Sequence, residues 1–396
     1  MLEWLIVGGG LQGVIAANFL LGKNPALKEK IRILDPHDGL LSNWNRNTKA
    51  VGMDYMRSSL VHHLAYDPFS LQQFAKANKS ASWVRFIPPY QRPSIELFQR
   101  HTQSVIEAND LEKMFLKGSL RSIKKIENGY RAITTQGDVT ARKILLAWGV
   151  TESCQMPDWC QELRSEGFEV KHVFGDGNEK LNNESKRIAI LGGGISALQL
   201  AVKYRRLADR NSSVHVISRH QLRVSQFDSD NCWMGPRCLN DFNKIACPIM
   251  RREVIKSARR HGSVPKDVSL AFKYEMMKNA NQLFFIRADV VGARKGERNK
   301  DSAQLELNDG NSVQIKEFDS IICATGFDTS CPNVELVETI SQEFGLPLSN
   351  CRFPLLQKNL SWGREKIFSI GSLAELRVGP TARNIIGARQ AASILQ

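Results

Sequence analysis

The sequence predicts an α/β fold with two Rossmann-like dinucleotide-binding units, each carrying a β-meander. Three observations point there. Gly8-Gly9-Gly10-Leu11-Gln12-Gly13 follows a short apolar run and opens a helical stretch. A second glycine turn, Gly192-Gly193-Gly194-Ile195-Ser196-Ala197, repeats the arrangement. Both copies close, after spans of similar length, on an apolar strand ending in Ala-x-Gly: Ala147-Trp148-Gly149 and Ala324-Thr325-Gly326. Two nested copies are a stronger signal than either motif alone.

Composition sets the bounds. The 396 residues are 42% hydrophobic and 24% charged, which excludes a disordered or collagen-like chain and suits two domains. Lys and Arg outnumber Asp and Glu 54 to 40, a formal charge of +14. That balance admits nucleic acid, an anionic surface or phosphate-bearing ligands as partners, or a solvated basic face. No nucleic-acid-binding signature accompanies it, so no nucleic acid is expected. The eight cysteines show no C-x-x-C spacing and read as reduced thiols in a cytoplasmic protein. No metal site is expected. Met1 to Gly22 is apolar enough to suggest a membrane span, but four glycines, Glu3 and Gln12 interrupt it. It reads instead as strand, turn and helix, with no signal peptide or membrane span.

The elements follow in order. Trp4–Val7 is a buried parallel strand, and the helix runs from Val14 to Leu21. Gly8 makes the tight turn, Gly10 leaves room for a pyrophosphate, and Gly13 lets helix and strand pack closely. The helix N-terminus offers positive charge to phosphates. The second strand, Ile31–Leu34, ends in Asp35, placed to accept hydrogen bonds from a ribose diol. A meander follows over 119–148, with runs Ser119–Ile123, Tyr130–Thr134 and Ile144–Gly149. The polar stretch 176–186 reads as a linker. In the second copy, Arg187–Leu191 precedes the turn at Gly192, Gly194 and Ala197, and Leu198–Arg206 is helical. The next strand, Val214–Ile217, ends in Ser218-Arg219-His220, with no acid. An acid there favours a free 2′-hydroxyl, and a cation without it accommodates a 2′-phosphate. The first site therefore reads as FAD or NAD and the second as NADP, with Arg219, and Arg223 behind it, on the phosphate. Ile286–Val291, Gln304–Leu307 and Ser320–Gly326 form the second meander.

On these residues the chain resembles the two-dinucleotide-binding-domain flavoproteins, in which a smaller NADPH domain interrupts an FAD domain. Within them it is most similar to the flavin-dependent N-hydroxylating monooxygenases of the lysine/ornithine type. Three further stretches carry the resemblance. Trp44 to Leu64, with Met53-Asp54-Tyr55-Met56-Arg57-Ser58 and Val61-His62-His63-Leu64, corresponds to a region crossing the flavin face. Asp319 to Phe327, with Thr325 and Gly326, matches D-x-x-x-x-A-T-G-[YF], and Pro332 follows at the family spacing. Gly371, then Gly379-Pro380-Thr381-Ala382-Arg383-Asn384, forms the C-terminal flavin segment. The departures are an absent F-x-G-x-x-x-H, Gly371-Ser372 in place of Gly-Asp, and a short chain.

The resemblance implies residues 1–150 as the first part of the FAD domain, 151–326 as the NADPH domain and 327–396 as the rest of the FAD domain. It implies FAD and NADPH as cofactors, with Trp44, Met56, Thr325, Gly326, Gly371, Gly379, Pro380 and Asn384 near them. It implies a monooxygenase working through a C4a-hydroperoxyflavin, hydroxylating an amine nitrogen of a small amino-acid-like substrate with O2, and an oligomer. A reductase or dehydrogenase, or a slow redox sensor, would use the same two sites.

Among single residues, Arg57 is expected either to stabilise charge on the reduced flavin or to form a surface salt bridge. His63, beside His62, is either catalytic or packed. Arg92 would clamp a carboxylate or phosphate. Asp228 and Asp230 read as loop caps over the NADP site rather than an acid–base pair. Cys323 reads as a buried inert thiol.

Overall fold

The computed structural model describes residues 1–150, 153–175, 186–209, 211–296 and 302–395. Nearly all of the expected linker 176–186 lies outside them. Two sheets organise the molecule. In the larger, the strands run Phe115–Lys117, Ile31–Asp35, Leu2–Val7, Gly137–Leu146, Gly129–Thr134 and Leu120–Ile126, with Ile367–Ser369 added on Gly137–Leu146. The smaller is all parallel, in the order Leu283–Arg287, Ser213–Ser218, Arg187–Leu191, Ser320–Cys323 and Val170–His172. The central parallel strands are largely apolar and buried on both faces; in the smaller sheet helices Ile195–Leu207 and Lys266–Lys278 cover one face, and helix Trp159–Ser165 with strand Ala303–Asn308 covers the other.

Gly137–Leu146 serves two sheets in one. Its first half pairs antiparallel with Gly129–Thr134, and its second half pairs parallel with Leu2–Val7 and Ile367–Ser369. The meander is thus continuous with the dinucleotide-binding sheet, and the closing strand starts earlier than the apolar run Ile144–Gly149 suggests. The second copy differs. The expected strand 286–291 is not one strand. It breaks at Ala288, so Leu283–Arg287 joins the parallel sheet while Asp289–Lys295 joins a separate antiparallel sheet with Ala303–Asn308 and Val313–Phe318. Arg287 and Asp289 flank the break, but neither charge by itself marks a change of sheet. Val313–Phe318 is an exposed, alternating strand that the sequence reading passed over.

The units touch through specific ties. Arg57 donates to the Ser225 and Gln226 carbonyls at 3.0 and 2.8 Å and to Ser263 Oγ at 2.9 Å. Arg92, fully buried, donates to Asp267 at 2.7 Å. The two crossings between units run side by side: Cys154 bridges Phe327, and Gln155 N–H donates to Gly326 O.

One expectation about the thiols is corrected. Cys232 and Cys238 form a disulfide, because the tight turn at Asn231–Met234 and the helix starting at Pro236 bring their Cα atoms to 5.2 Å. The other six cysteines form no disulfide among the described residues. No helix among the described residues is long and apolar enough to cross a membrane.

Candidate functional site: a glycine-walled cavity and a basic cavity

A cavity of about 730 Å³ opens above the first glycine turn. Its floor shows the three glycines in separate roles. Gly8 has φ +118°, and a Cβ on it would sit 2.7 Å from Ala147 O. A Cβ on Gly13 would sit 1.8 Å from Gly8 O, so only glycine lets helix Leu11–Lys23 lie this close to the strand. A Cβ on Gly10 would meet nothing within 4 Å: it faces the open cavity. The second turn repeats the close approach, with Gly192 at φ +134° and its Cβ position 2.5 Å from Ala324 O. In both copies the closing Ala-x-Gly strand is therefore what the first glycine passes.

Asp35 stands in the cavity wall. One carboxylate oxygen accepts Gly9 N–H at 2.6 Å, and the other accepts His37 N–H at 3.0 Å and faces His37 Nδ1 at 2.8 Å. Helix Ser42–Val51 is tied to the turn by Leu41 N–H donating to Gly9 O. It presents Asn43, Trp44 and Asn47, at i, i+1 and i+4, to the cavity. Asn43 Oδ1, Trp44 Nε1, Asn47 Oδ1 and Gln12 Oε1 are all buried and have no partner among the described residues. Four orphaned polar atoms around one cavity fit a ligand with many hydrogen-bonding groups.

The C-terminal segment closes the far wall. Gly371 has φ +67° and packs on the Gln12 side chain, and Ser372 lines the cavity. Arg383 also lines it. Its Nε donates to Glu375 at 2.9 Å and its Nη2 to Thr329 O at 3.0 Å. Glu375 is fully buried and binds Arg252 as well. Burial pulls the Arg383 guanidinium down to about 10, still charged at neutral pH.

A second cavity, about 490 Å³, lies beyond the second turn, walled by Arg223, Val224, Ser225, Arg259, Arg260, His261 and Ser263. Gly262, at φ +69°, brings this loop within 3.5 Å of a Cβ position on Gly194. Arg260 donates to Ser225 Oγ at 2.8 Å, and Arg259 reaches Pro380 O at 3.1 Å, joining this cavity to the C-terminal segment. Burial, with Arg383 next, brings Arg259 down to about 10. Arg223 is in this wall. Arg219 is exposed and outside it. The Arg259-Arg260-His261-Gly262 run was legible only as a short basic patch. Its glycine was the available signal.

Other expected residues fall elsewhere. Arg57 spends its donors on residues 225, 226 and 263 and does not line the first cavity. His63 is fully buried, with Nε2 3.0 Å from Pro68 O and Nδ1 accepting Ala65 N–H. Burial drives its pKa down to about 4, so it is neutral and bonded to backbone. His63 lines neither cavity, and Arg57 bonds Ser225 and Ser263 in the wall of the second without lining the first. Met56 is buried beside Arg92 rather than at the cavity. The carboxylate that Arg92 clamps is the chain's own Asp267. Gly379, at φ +93°, packs under Leu239, and Asn384 donates to Asp228. Asp230 caps Cys232 N–H and pairs with Arg260, as a loop cap does. Thr325 and Gly326 hold the crossing between units through Gln155. Ala197 is buried in the second helix, and Cys323 lies buried with its sulfur 3.7 Å from that of Cys160.

The pyridine nucleotide-disulphide oxidoreductase family model matches residues 2–392. The chain belongs to that family. No curated protein matches it by sequence. Among solved structures it is similar to the ornithine N-hydroxylase KtzI of Kutzneria sp. 744 (TM-score 0.77, 15% identity, 100% of this chain and 98% of that one). The cadaverine monooxygenase DfoA of Erwinia amylovora matches with TM-score 0.75 at 15% identity over 100% of this chain and 94% of that one. The bacillithiol disulfide reductase of Staphylococcus aureus matches at 0.57 and 14%, over 100% and 96%. At these identities the likeness is one of fold.

Proposed function

We propose that the chain is an NADPH-dependent FAD monooxygenase that hydroxylates an amine nitrogen of a small amino-acid-like substrate. The observation that carries this is the pairing of two unlike cavities over two like glycine turns. One is walled by an acid, open glycine backbone and orphaned amide and indole groups; the other is walled by three arginines and a histidine. FAD suits the first and NADPH the second, and KtzI, solved with reduced FAD, NADP+ and ornithine, shows the fold holding such a set. On this reading residues 1–150 and 327–396 form the FAD domain and 151–326 the NADPH domain. Asp35 takes the adenosine ribose, and the N–H groups after Gly10 take the pyrophosphate. Asn43, Trp44, Asn47 and Gln12 bind through their orphaned atoms.

Bound flavin supplies hydride acceptance and oxygen activation. The chain's part is to place, exclude and neutralise. Arg383, held by Glu375, puts a fixed cation in the wall of the flavin cavity. Arg223 and Arg260 hold the 2′-phosphate, which replaces Arg219 in that role. Arg57 is a positioning residue that fixes the second unit against the 54–64 segment. The substrate amine must be neutral to react, so its pocket must favour the uncharged form by desolvation.

The test is anaerobic reduction with one equivalent of NADPH, then rapid mixing with oxygenated buffer and ornithine, lysine or cadaverine. A near-ultraviolet absorbance that persists before the oxidised spectrum returns, with hydroxylamine product, supports the proposal. Immediate reoxidation with stoichiometric peroxide under every amine makes the chain a reductase. The disulfide reductase with the same fold favours that second reading.

A further inference from the structure

Helix Lys266–Lys278 turns a basic, apolar ridge outward that neither cavity uses. Inward, Phe272 is buried in the core shared with helix Ile195–Leu207, and Val268 and Met276 pack against it. Outward, Leu270, Tyr274 and Met277 are 54, 63 and 81% exposed. Their i, i+4, i+7 spacing makes one stripe about 10 Å long. Leu207, 65% exposed, ends the neighbouring helix, which Arg206 ties to Glu275 at 2.9 Å.

Charge decides what it meets. The helix has two acids, and both are spent inward: Asp267 on the buried Arg92 and Glu275 on Arg206. Lys266, Lys273 and Lys278 are exposed, and no ion pair among the described residues neutralises them. Part of the +14 net charge is thus displayed beside apolar side chains. An acidic protein partner would complement the charge. Long lysines beside an exposed Leu, Tyr and Met on one helix face suit an interface that yields around each side chain.

We propose that this face docks on an anionic membrane surface, with Leu270, Tyr274 and Met277 in the headgroup boundary and the three lysines on lipid phosphates and carboxylates. Neither cavity includes a residue of this face, so docking leaves both walls untouched. The association is peripheral and weakens with salt.

The full chain, loaded with FAD, is sedimented with vesicles of phosphatidylcholine alone or with about one-third phosphatidylserine. It should co-sediment with the anionic vesicles at low salt and not with the neutral ones. Lys273→Gln should lower partitioning about fivefold, whereas Lys358→Gln, which removes the same charge elsewhere, changes it less than about twofold. Leu270→Ser with Met277→Ser should lower it about tenfold or more. Flavin absorbance and NADPH reduction stay at wild-type values in each variant and report the fold. Three results overturn the proposal: no sedimentation with anionic vesicles, equal loss in Lys273→Gln and Lys358→Gln, or a solution dimer that Met277→Ser dissociates. None depends on whether the chain oxygenates an amine.

Discussion

Gly10 and Gly13 stand three residues apart in one motif, and the structure gives their replacement opposite consequences. An alanine at Gly13 places a Cβ 1.8 Å from Gly8 O and 3.3 Å from the Ile6 side chain. Backbone is on the other side of that contact, so the helix must move by more than 1 Å. Overpacking of this kind costs about 1–3 kcal/mol, occasionally more. Valine at Gly10 meets no atom within 4 Å, and the backbone there, at φ −75°, suits any residue. Its effect on apoprotein stability should stay within about 0.5 kcal/mol, as for an exposed site. What it fills is the approach to the helix N-terminus. Losing one or two charge-assisted bonds at about 1.5–3 kcal/mol each weakens FAD binding at least about tenfold. Urea unfolding of the apoproteins and fluorescence titration with FAD measure the two effects separately. The reasoning fails if Gly10→Val binds FAD as the wild type does, or destabilises the apoprotein as much as Gly13→Ala.

Three further outcomes follow from the same geometry. Arg223→Gln with Arg260→Gln should raise the NADPH concentration for half-maximal flavin reduction about tenfold or more, leave NADH unchanged, and exceed any effect of Arg219→Gln in stopped-flow traces. Arg92 is buried and its carboxylate partner lies in the other unit, so Asp267→Asn should cost about 3 kcal/mol in urea unfolding, and an unchanged midpoint would refute the tie. His62 and His63 are held near 4 and His101 near 3, chiefly by burial, against an ordinary value of 6.5. The unfolded chain then binds more protons below pH 6.5. Stability should be flat above that pH and fall between 6.5 and 4, by up to about 1.4 kcal/mol per pH unit for each histidine. A flat denaturation midpoint through that window would refute it.

The glycine turns were legible because their demands are local. Gly8 and Gly192 need left-handed φ, and each strand–turn–helix lies within one short stretch of chain. Asp35 was legible for the same reason, at the end of the neighbouring strand. Trp44 was placed by resemblance, and its orphaned indole N–H bears on that expectation directly. Sequence alone left two readings open for Arg57 and for His63, because a segment near a cavity need not point its charged groups into it. Arg57 finds carbonyls more than 160 residues away, and His63 finds backbone within five. The disulfide was missed because spacing alone does not say that a turn and a helix start will face two sulfurs.

Sequence by itself determined the two dinucleotide-binding units and the acid-versus-cation contrast at their second strands. Each depends on residues a turn or one strand apart, where backbone sterics and hydrogen-bond reach decide the outcome. Tertiary structure alone decided that Gly10 faces open space, that Arg259 and Arg260 join Arg223 around one cavity, and that Asp267 and Glu275 turn inward and leave three lysines on the surface. Those facts depend on which distant elements pack together, and packing is settled by shape and burial summed over the whole chain, not by any local pattern.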